Sequence, residues 1–297
     1  NAHSKVWDPK LIEALGIDSS LLKEIQTSGT RLGTISKHIR DEIGISPVEV
    51  VLSGAHDTGS AVNAVPAEGT DWAFLSTGTW TILGVESDKP LMNEVSQKAN
   101  LSNEGTMDMR YRPLKNISGM WPIQQCRKVW SKASPISYEE IAKLASQAPT
   151  MTALIDPDDP RFLNPENMVE EVGAYLDETG QPNPVGVGNY ARIILESLAM
   201  KYRFYLDSFK LASSHSIHKV HAMGGGIQNK LLCQFAANAM GLPLIAGPTE
   251  ATAIGNILGQ AKAMGLITDY AKGREIVRKS FPLNVYEPVN QALWQDG

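Results

Sequence analysis

An aspartate at position 57 is the residue of this sequence best placed for acid–base chemistry. It follows His56, at a point where an apolar run over residues 48–52 has ended and a helical pattern begins. A carboxylate at the edge where a strand gives way to a helix can accept a proton from a substrate hydroxyl. Aspartate also caps helix N-termini, and capping is its commoner role there. Both interpretations of Asp57 stay open from the residue pattern alone.

Two short turns carry groups that can bind anions. Ser76-Thr77-Gly78-Thr79 lies between two apolar runs and combines hydroxyls with backbone N–H groups. Such a turn can surround phosphate oxygens, but the same composition occurs in ordinary hairpins. Gly224-Gly225-Gly226 lies between an apolar run and a helical pattern, where glycine lets a ligand approach the backbone. Three consecutive glycines lower the local stability, so an ordinary tight turn does not explain all of them, and a functional and a structural role both stay open.

The elements that must position these groups follow from the spacing of apolar residues. The predicted strands cover residues 48–52, two runs within 72–85, and residues 220–222 and 244–246. The predicted helices cover residues 11–15, 57–65, much of 119–148, 189–212, 229–241 and 249–265. Residues 149–188 and those after 265 are expected to be irregular. This order predicts an α/β layer that binds ligands at the carboxyl ends of its strands.

The composition is that of a globular protein and excludes several classes. Of 297 residues, 42% are hydrophobic and 20% charged, which suffices for a core and excludes disordered and coiled-coil chains. A net charge of −5 argues against nucleic acid or an anionic membrane as the main partner. No targeting or membrane-spanning segment is visible, and Cys126 and Cys233 form no CxxC pattern. We therefore expect a reducing, cytoplasmic location.

Several familiar site motifs are missing from the sequence. It has no Gly-Lys pair, hence no Walker A loop, and no HExxH zinc helix. The glycine triplet departs from the dinucleotide fingerprint because Asn229 occupies its sixth position. His215, His218 and His221 are spaced by three, but with no cysteine or carboxylate beside them we predict no metal site. A nicotinamide-dependent dehydrogenase stays an alternative that rests on the glycine triplet and the α/β pattern.

Together, four stretches resemble the FGGY carbohydrate kinases. They are residues 53–62 (SGAHDTGSAV), 75–80 (LSTGTW), 223–230 (MGGGIQNK) and 250–256 (EATAIGN). The resemblance runs from about Trp7 to Pro288, and residues 103–105 and 114–121 are similar to the rhamnulokinase branch. It implies an α/β protein with the actin-like ATPase (ribonuclease H-like) fold, in which nucleotide and sugar meet in a cleft between two domains.

The resemblance also implies roles for individual residues. Asp57 corresponds to the base that takes the proton from the sugar hydroxyl, and no residue corresponds to a metal ligand. The implied sugar contacts are His56, Asp57, Thr58 and Asn116. The implied nucleotide contacts are Ser76, Thr77, Gly78, Thr79, Gln124, Gly224, Gly225, Gly226 and Asn229.

The reaction implied by the resemblance is transfer of the γ-phosphoryl group of ATP to the primary hydroxyl of a ketose, with Mg²⁺ offsetting the phosphate charge. The branch implies L-rhamnulose as the small-molecule partner, converted to L-rhamnulose 1-phosphate in L-rhamnose catabolism. The alternatives are a kinase for another sugar or polyol, such as L-fuculose, xylulose or glycerol, and a non-catalytic nucleotide-binding module.

One segment of the family, the N-terminal phosphate-binding Asp-x-Gly-Thr/Ser run, has no match in this sequence. We therefore expect a C-terminal piece, with residues 1–65 as the tail of the N-terminal domain and residues 66–297 as the nucleotide-binding C-terminal domain. In such a piece the strand at 48–52 exposes its edges unless it pairs with a neighbour. We also expect this chain alone to be inactive as a kinase, because half of the phosphate clamp is missing.

Overall fold

Strands and helices alternate along residues 1–213 and 216–295, the parts of the chain that the computed structural model describes. His215, one of the three spaced histidines, lies outside the described residues. The strands of the described parts are β1 (Arg31–Thr34), β2 (Glu49–Val51), β3 (Trp72–Thr77), β4 (Trp80–Val85), β5 (Ser102–Gly105), β6 (Tyr111–Ser118), β7 (Lys219–Met223), β8 (Leu244–Ala246) and β9 (Asn284–Tyr286). The α-helices of the described parts are α1 (Pro9–Ala14), α2 (Lys37–Ile43), α3 (Asp57–Asn63), α4 (Glu94–Lys98), α5 (Trp121–Trp130), α6 (Tyr138–Gln147), α7 (Met168–Glu178), α8 (Val187–Ala212), α9 (Lys230–Met240), α10 (Ala251–Ala263), α11 (Tyr270–Ser280) and α12 (Gln291–Gln295).

A mixed sheet of seven strands forms the centre of the fold, in the order β5-β6-β4-β3-β7-β8-β9. β3, β7 and β8 run parallel, whereas β4, β6, β5 and β9 are antiparallel to their neighbours. Parallel neighbours need a crossover connection, which α9 supplies between β7 and β8. The predicted α/β layer is confirmed, including the strands at 220–222 and 244–246.

One face of the sheet packs against α8 and α9. The buried residues Ile194, Leu198, Tyr202 and Phe209 of α8 recur at the spacing from which the sequence predicts a helix. They share a core cluster with Leu83 of β4. α8 has 26 residues, yet neither it nor another helix in the described ranges is long and apolar enough to cross a membrane.

The opposite face of the sheet packs against α3 and α10. Phe74 of β3, Leu114 of β6 and Met223 of β7 form a second cluster with Val62 of α3 and Ala251 of α10. Phe74 belongs to this cluster, whereas the next residue, Leu75, belongs to the cluster that contains the buried residues of α8. The two differ because successive side chains of a strand point to opposite faces of the sheet. α3, which carries Asp57, is therefore fixed on this second face of the sheet.

The first 57 residues bury no side chain, and burial along the chain begins at Thr58. β1 and β2 form a separate two-stranded antiparallel sheet, so the predicted strand at 48–52 does find a neighbour. Large apolar side chains in this stretch stay in contact with solvent, among them Trp7 at 48%, Leu15 at 71% and Leu21 at 72% exposure. A two-stranded sheet without a covered face contributes little stability of its own.

Two predicted irregular regions turn out to contain regular structure, so those predictions are wrong. Residues 149–188 contain α7, which buries Met168, Val172 and Leu176 and is capped by Asn167. The residues after 265 contain α11, β9 and α12. The long helix also begins at Val187, two residues before its predicted start.

Candidate functional site

Asp57 lies in the first turn of α3, with its side chain 76% exposed. The N-cap of the helix is His56, whose Nδ1 accepts a hydrogen bond from the backbone N–H of Thr58 at 3.1 Å. Asp57 Oδ1 accepts from the same N–H at 2.6 Å and from the Thr58 hydroxyl at 3.3 Å. An Nδ1 that accepts leaves the ring proton of a neutral imidazole on Nε2. His56 and Asp57 thus share the N–H of Thr58, and the rest of the Asp57 carboxylate is open to solvent.

The position of α3 is set by close contact with α10. A Cβ atom built on Gly255 would overlap the carbonyl oxygen of Ser60, so the two helix backbones touch. Asn63 Nδ2 also donates to the carbonyl oxygen of Gly255 at 3.5 Å. Gly255 therefore lets the two helices pack closely.

The turn at residues 76–79, here the hydroxyl turn, joins β3 to β4. Gly78 N donates to the carbonyl oxygen of Trp80 at 2.9 Å and closes the turn. Thr77 is buried, and its hydroxyl lies 3.2 Å from that of Thr81, which lies 3.1 Å from the Tyr202 hydroxyl. Burial raises the pKa of Tyr202 to about 12. The turn is anchored from behind by this row of hydroxyls, while Thr79 is exposed.

The turn at residues 224–226, here the glycine turn, packs directly against the hydroxyl turn. Gly224 has a φ of +85°, and a Cβ on it would lie 2.6 Å from the carbonyl oxygen of Thr77. A Cβ on Gly226 would lie 2.5 Å from the Thr77 hydroxyl oxygen. A Cβ on Gly225 would meet no atom within 4 Å. Packing therefore requires two of the three glycines, and the backbone at the third is open to a ligand.

The parallel register brings these two turns to one edge of the sheet. Ser76 of β3 pairs with Met223 of β7, so the residues that follow each strand lie side by side. Asn229, after the glycine turn, caps α9 by accepting a hydrogen bond from Leu232 N at 3.0 Å. This is the carboxyl edge of the parallel strands, where α/β proteins bind ligands.

A third segment, residues 119–124, lies over the hydroxyl turn. The carbonyl oxygen of Gly78 accepts from Met120 N at 2.8 Å, and that of Thr79 accepts from Trp121 N at 3.2 Å. Gln124 Nε2 donates to the Thr79 hydroxyl at 3.2 Å. The structure therefore brings Thr79 and Gln124 together from positions 45 residues apart.

Asn116 lies on β6 and is exposed, on the sheet face that also carries α3. It is paired with Ile82 of β4, and Leu114, two residues earlier on the same face, packs in the α3 cluster. Trp80 shares this face two residues before Ile82, and its indole is 53% exposed beside the hydroxyl turn. Trp80 is not among the site residues expected from the sequence, although it directly follows a Ser/Thr/Gly turn there.

Other candidate groups lie away from this edge. His221 is buried at 3% exposure against the Trp72 ring, and burial lowers its pKa to about 4. Burial likewise raises the pKa of the Cys126 and Cys233 thiols to about 12. Within residues 1–213 and 216–295, no three or more His, Cys, Asp or Glu side chains form a group able to hold a metal ion.

A cavity of about 930 Å³ opens at the other end of β4, beyond Val85. Its walls carry charges of both signs that pair with one another. Glu86 bridges Arg110 at 3.0 Å and Arg274 at 2.6 Å, and Arg278 pairs with Glu68 at 2.6 Å. This network joins α11 to the sheet, and none of the site residues predicted from the sequence lines the cavity.

Known proteins match the chain in sequence over nearly its whole length. The FGGY family of carbohydrate kinases, C-terminal domain, matches residues 73–264. A rhamnulokinase from Bacteroides thetaiotaomicron is 40% identical over 99% of this chain and 60% of that protein. A rhamnulokinase from Oceanobacillus iheyensis is 37% identical over 97% of this chain and 60% of that protein. The chain spans about 60% of the length of these curated relatives.

Solved structures match the fold. A ligand-bound xylulose kinase from Lactobacillus acidophilus superposes with a TM-score of 0.76 at 16% identity, covering 100% of this chain and 59% of that one. A glycerol kinase from Plasmodium falciparum with ADP gives a TM-score of 0.73 at 15% identity, covering 100% of this chain and 58% of that one. The fold is that of these sugar kinases, the actin-like ATPase fold. With a domain match over residues 73–264, the chain belongs to the FGGY family of carbohydrate kinases.

Proposed function

We propose that the native polypeptide containing this chain phosphorylates the primary hydroxyl of L-rhamnulose with ATP and yields L-rhamnulose 1-phosphate. The observation that carries this proposal is the exposed carboxylate of Asp57 on the same sheet face as Asn116, together with the paired turns at the carboxyl edge of the sheet. The relatives named rhamnulokinase, at 40% and 37% identity, support the choice of sugar.

Asp57 is the proposed base. The oxygen of the primary hydroxyl forms a bond to the γ-phosphorus, the bond from that phosphorus to the bridging oxygen of ADP breaks, and the hydroxyl proton moves to the Asp57 carboxylate. The open position of this carboxylate, 76% exposed, lets a sugar approach it. His56, Thr58 and Asn116 are the proposed sugar contacts, since the first two flank Asp57 and the third is exposed on the same face.

The nucleotide is proposed to lie over the hydroxyl turn and the glycine turn. The exposed Thr79 and the open backbone at Gly225 fit phosphate oxygens, because hydroxyl and N–H groups donate to them. The proposed contacts are Ser76, Thr77, Gly78, Thr79, Gln124, Gly224, Gly225, Gly226 and Asn229. Mg²⁺ carried by the phosphates would offset their charge during transfer. Such a reaction draws on cellular ATP, so we propose a cytoplasmic location.

The test is an ADP-release assay of the native polypeptide with ATP, Mg²⁺ and a panel of acceptors. L-Rhamnulose, L-fuculose, L-xylulose and glycerol are compared at equal concentration, with a reaction lacking acceptor as control. We expect L-rhamnulose to give the highest kcat/KM. A higher kcat/KM for another acceptor overturns the choice of sugar, and no acceptor-dependent ADP from any of them overturns the kinase assignment.

A further inference from the structure

Arg112 is the largest fully buried side chain of the described residues, at 1% exposure. It lies on β6 opposite Glu104 of β5, and its Nη2 forms an ion pair with that carboxylate. Its Nε donates to the carbonyl oxygen of Gly105 at 3.0 Å. Its Nη1 is buried and has no hydrogen-bond partner within the described ranges. The hairpin of β5 and β6 thus holds a fixed cation, of which the Nη1 donor forms no hydrogen bond within the described ranges.

This guanidinium lies directly beneath the first turn of α3. A Cβ atom built on Gly59 would lie 3.6 Å from Cζ and from Nη2 of Arg112, and 3.7 Å from Nε. The flat face of the group therefore packs against the helix backbone two residues after Asp57. Burial lowers the pKa of Arg112, while the negative charges of Glu104 and Asp57 oppose that shift.

The same hairpin fixes the chain before the helix. Met107, in the loop between β5 and β6, is buried at 3% exposure. A Cβ on Gly54 would lie 3.4 Å from Met107 Cγ and 3.0 Å from the Ser60 hydroxyl oxygen. The loop that enters α3 and the first turn of α3 are thus held between this hairpin and α10.

We propose that Arg112 is a positioning residue for the proposed phosphoryl transfer: fixed by Glu104, it supports the first turn of α3 and keeps a positive charge beneath Asp57. This inference rests on the proposed role of Asp57. A buried arginine with an unpaired donor is not the most stable filling of such a site, since apolar residues often replace buried ion pairs without loss. An arginine also stays charged at every pH at which the protein folds, so the cation is permanent.

The ion pair of Arg112 and Glu104 makes the proposal testable. Arg112→Met removes the positive charge and keeps a long apolar side chain, whereas Arg112→Lys keeps the charge. Glu104→Gln keeps Arg112 and removes the carboxylate that fixes its guanidinium.

The experiment measures kcat and the KM for ATP in the native polypeptide and its variants, with L-rhamnulose as the acceptor. We expect Arg112→Met to lower kcat about tenfold with little change in the KM for ATP. Arg112→Lys, which keeps the charge, is expected to hold kcat near its wild-type value. Glu104→Gln, which removes the carboxylate that fixes the guanidinium, is expected to lower kcat as well. A wild-type kcat in Arg112→Met, or an equally large loss in Arg112→Lys, overturns the proposal.

A second measurement does not depend on kinase activity. Hydrogen exchange of the backbone amides of Gly59 and Ser60 is compared in wild type, Arg112→Met and Arg112→Lys. We expect faster exchange in the methionine variant and near wild-type exchange in the lysine variant. Unchanged exchange in both variants contradicts the positioning role. Inactivity of the wild type towards every acceptor would instead count against the proposed function, and the exchange result would still decide whether Arg112 supports α3.

Discussion

The capping of α3 separates two roles that an aspartate can have at the start of a helix. The sequence places His56 and Asp57 at this point but cannot tell which side chain caps the helix. In the structure His56 is the N-cap, and Asp57 Oδ1 accepts from the N–H and the hydroxyl of Thr58, with its side chain 76% exposed. Its exposure leaves it accessible to a hydroxyl group.

His221 gives a pH-dependent prediction at the scale of one residue. Burial lowers its pKa to about 4 from the ordinary value of 6.5. Between these two pH values the unfolded chain binds a proton that the folded chain does not. The free energy of unfolding therefore falls as the pH falls, and this histidine contributes a loss of about 2 kcal/mol from pH 7 to pH 5.

Urea unfolding of wild type and of His221→Phe at pH 7, 6 and 5 measures that contribution. Phenylalanine has a similar shape and removes two ring nitrogens that have no hydrogen-bond partner in the described structure. We expect the variant to lose less stability on acidification than the wild type. Parallel pH profiles for the two proteins would show that His221 does not titrate as its burial implies.

At the scale of elements, the sequence predicts best where capping and apolar spacing agree. α9 is an example, because Asn229 caps its start and Gly241, with a φ of +65°, ends it as expected. β6 was missed because Pro113 and two cations interrupt its apolar pattern, and proline usually argues against an inner strand. α11 was missed because its buried side includes Arg274 beside Tyr270 and Val277, so it lacks a continuous apolar stripe.

The candidate site likewise has features that the sequence predicts and features that it does not. The residues of each turn are visible in the sequence, but their contacts depend on strand register. Ser76 meets Met223 only because β3 and β7 are parallel neighbours. The face of Asn116 follows from β6, which the sequence did not reveal. Local chemistry was therefore predictable, whereas the support of α3 by Arg112 requires the tertiary structure.

The glycine turn provides a matched pair of substitutions. Gly226→Ala places a methyl group against Thr77 and is expected to lower the free energy of unfolding by about 2 kcal/mol. Gly225→Ala places a methyl group in open space and is expected to leave stability nearly unchanged while weakening ATP binding. Thermal unfolding and nucleotide titration of both variants check this. ATP binding by Gly225→Ala equal to that of wild type would argue against a ligand at Gly225.

The contact of α3 with α10 provides a second matched pair of substitutions. Gly255→Ala would place a methyl group on the Ser60 backbone, which cannot move without shifting α3. Gly259→Ala meets only the end of the flexible Met107 side chain. We expect Gly255→Ala to destabilise the fold by about 3 kcal/mol and Gly259→Ala to be near neutral, since alanine also favours the helix. Comparable unfolding midpoints for the two variants would contradict the backbone contact.

At the scale of the whole molecule, burial separates the chain into two unequal parts. The division expected between residues 65 and 66 stays a proposal, with the first part assigned to the N-terminal domain of FGGY kinases and the second to the C-terminal domain. Residues 58–67 are buried, and α3 packs in a cluster with Phe74 and Ala251. That packing favours a division near residue 57, with α3 grouped with the larger part.

Limited proteolysis of this chain tests the difference in burial. We expect trypsin to cut first after exposed residues such as Lys23 and Lys37, because no residue before Thr58 is buried. Sites in α8, such as Arg192 at 7% exposure, should resist. Mass spectrometry of the first products identifies the cuts. Early cleavage at Arg192 with an intact N-terminal stretch would contradict this order of stability.

The most direct test of the account is the turnover of Asp57→Asn in the native polypeptide with ATP and L-rhamnulose. Asparagine keeps an oxygen for the Thr58 N–H but cannot take up the hydroxyl proton, so kcat should fall by about 10²–10⁴-fold with ATP binding and thermal stability unchanged. Asp88→Asn, at another exposed carboxylate with 85% exposure, is the matched control and should keep wild-type turnover. Turnover of Asp57→Asn within about tenfold of wild type would contradict the assignment of Asp57 as the base.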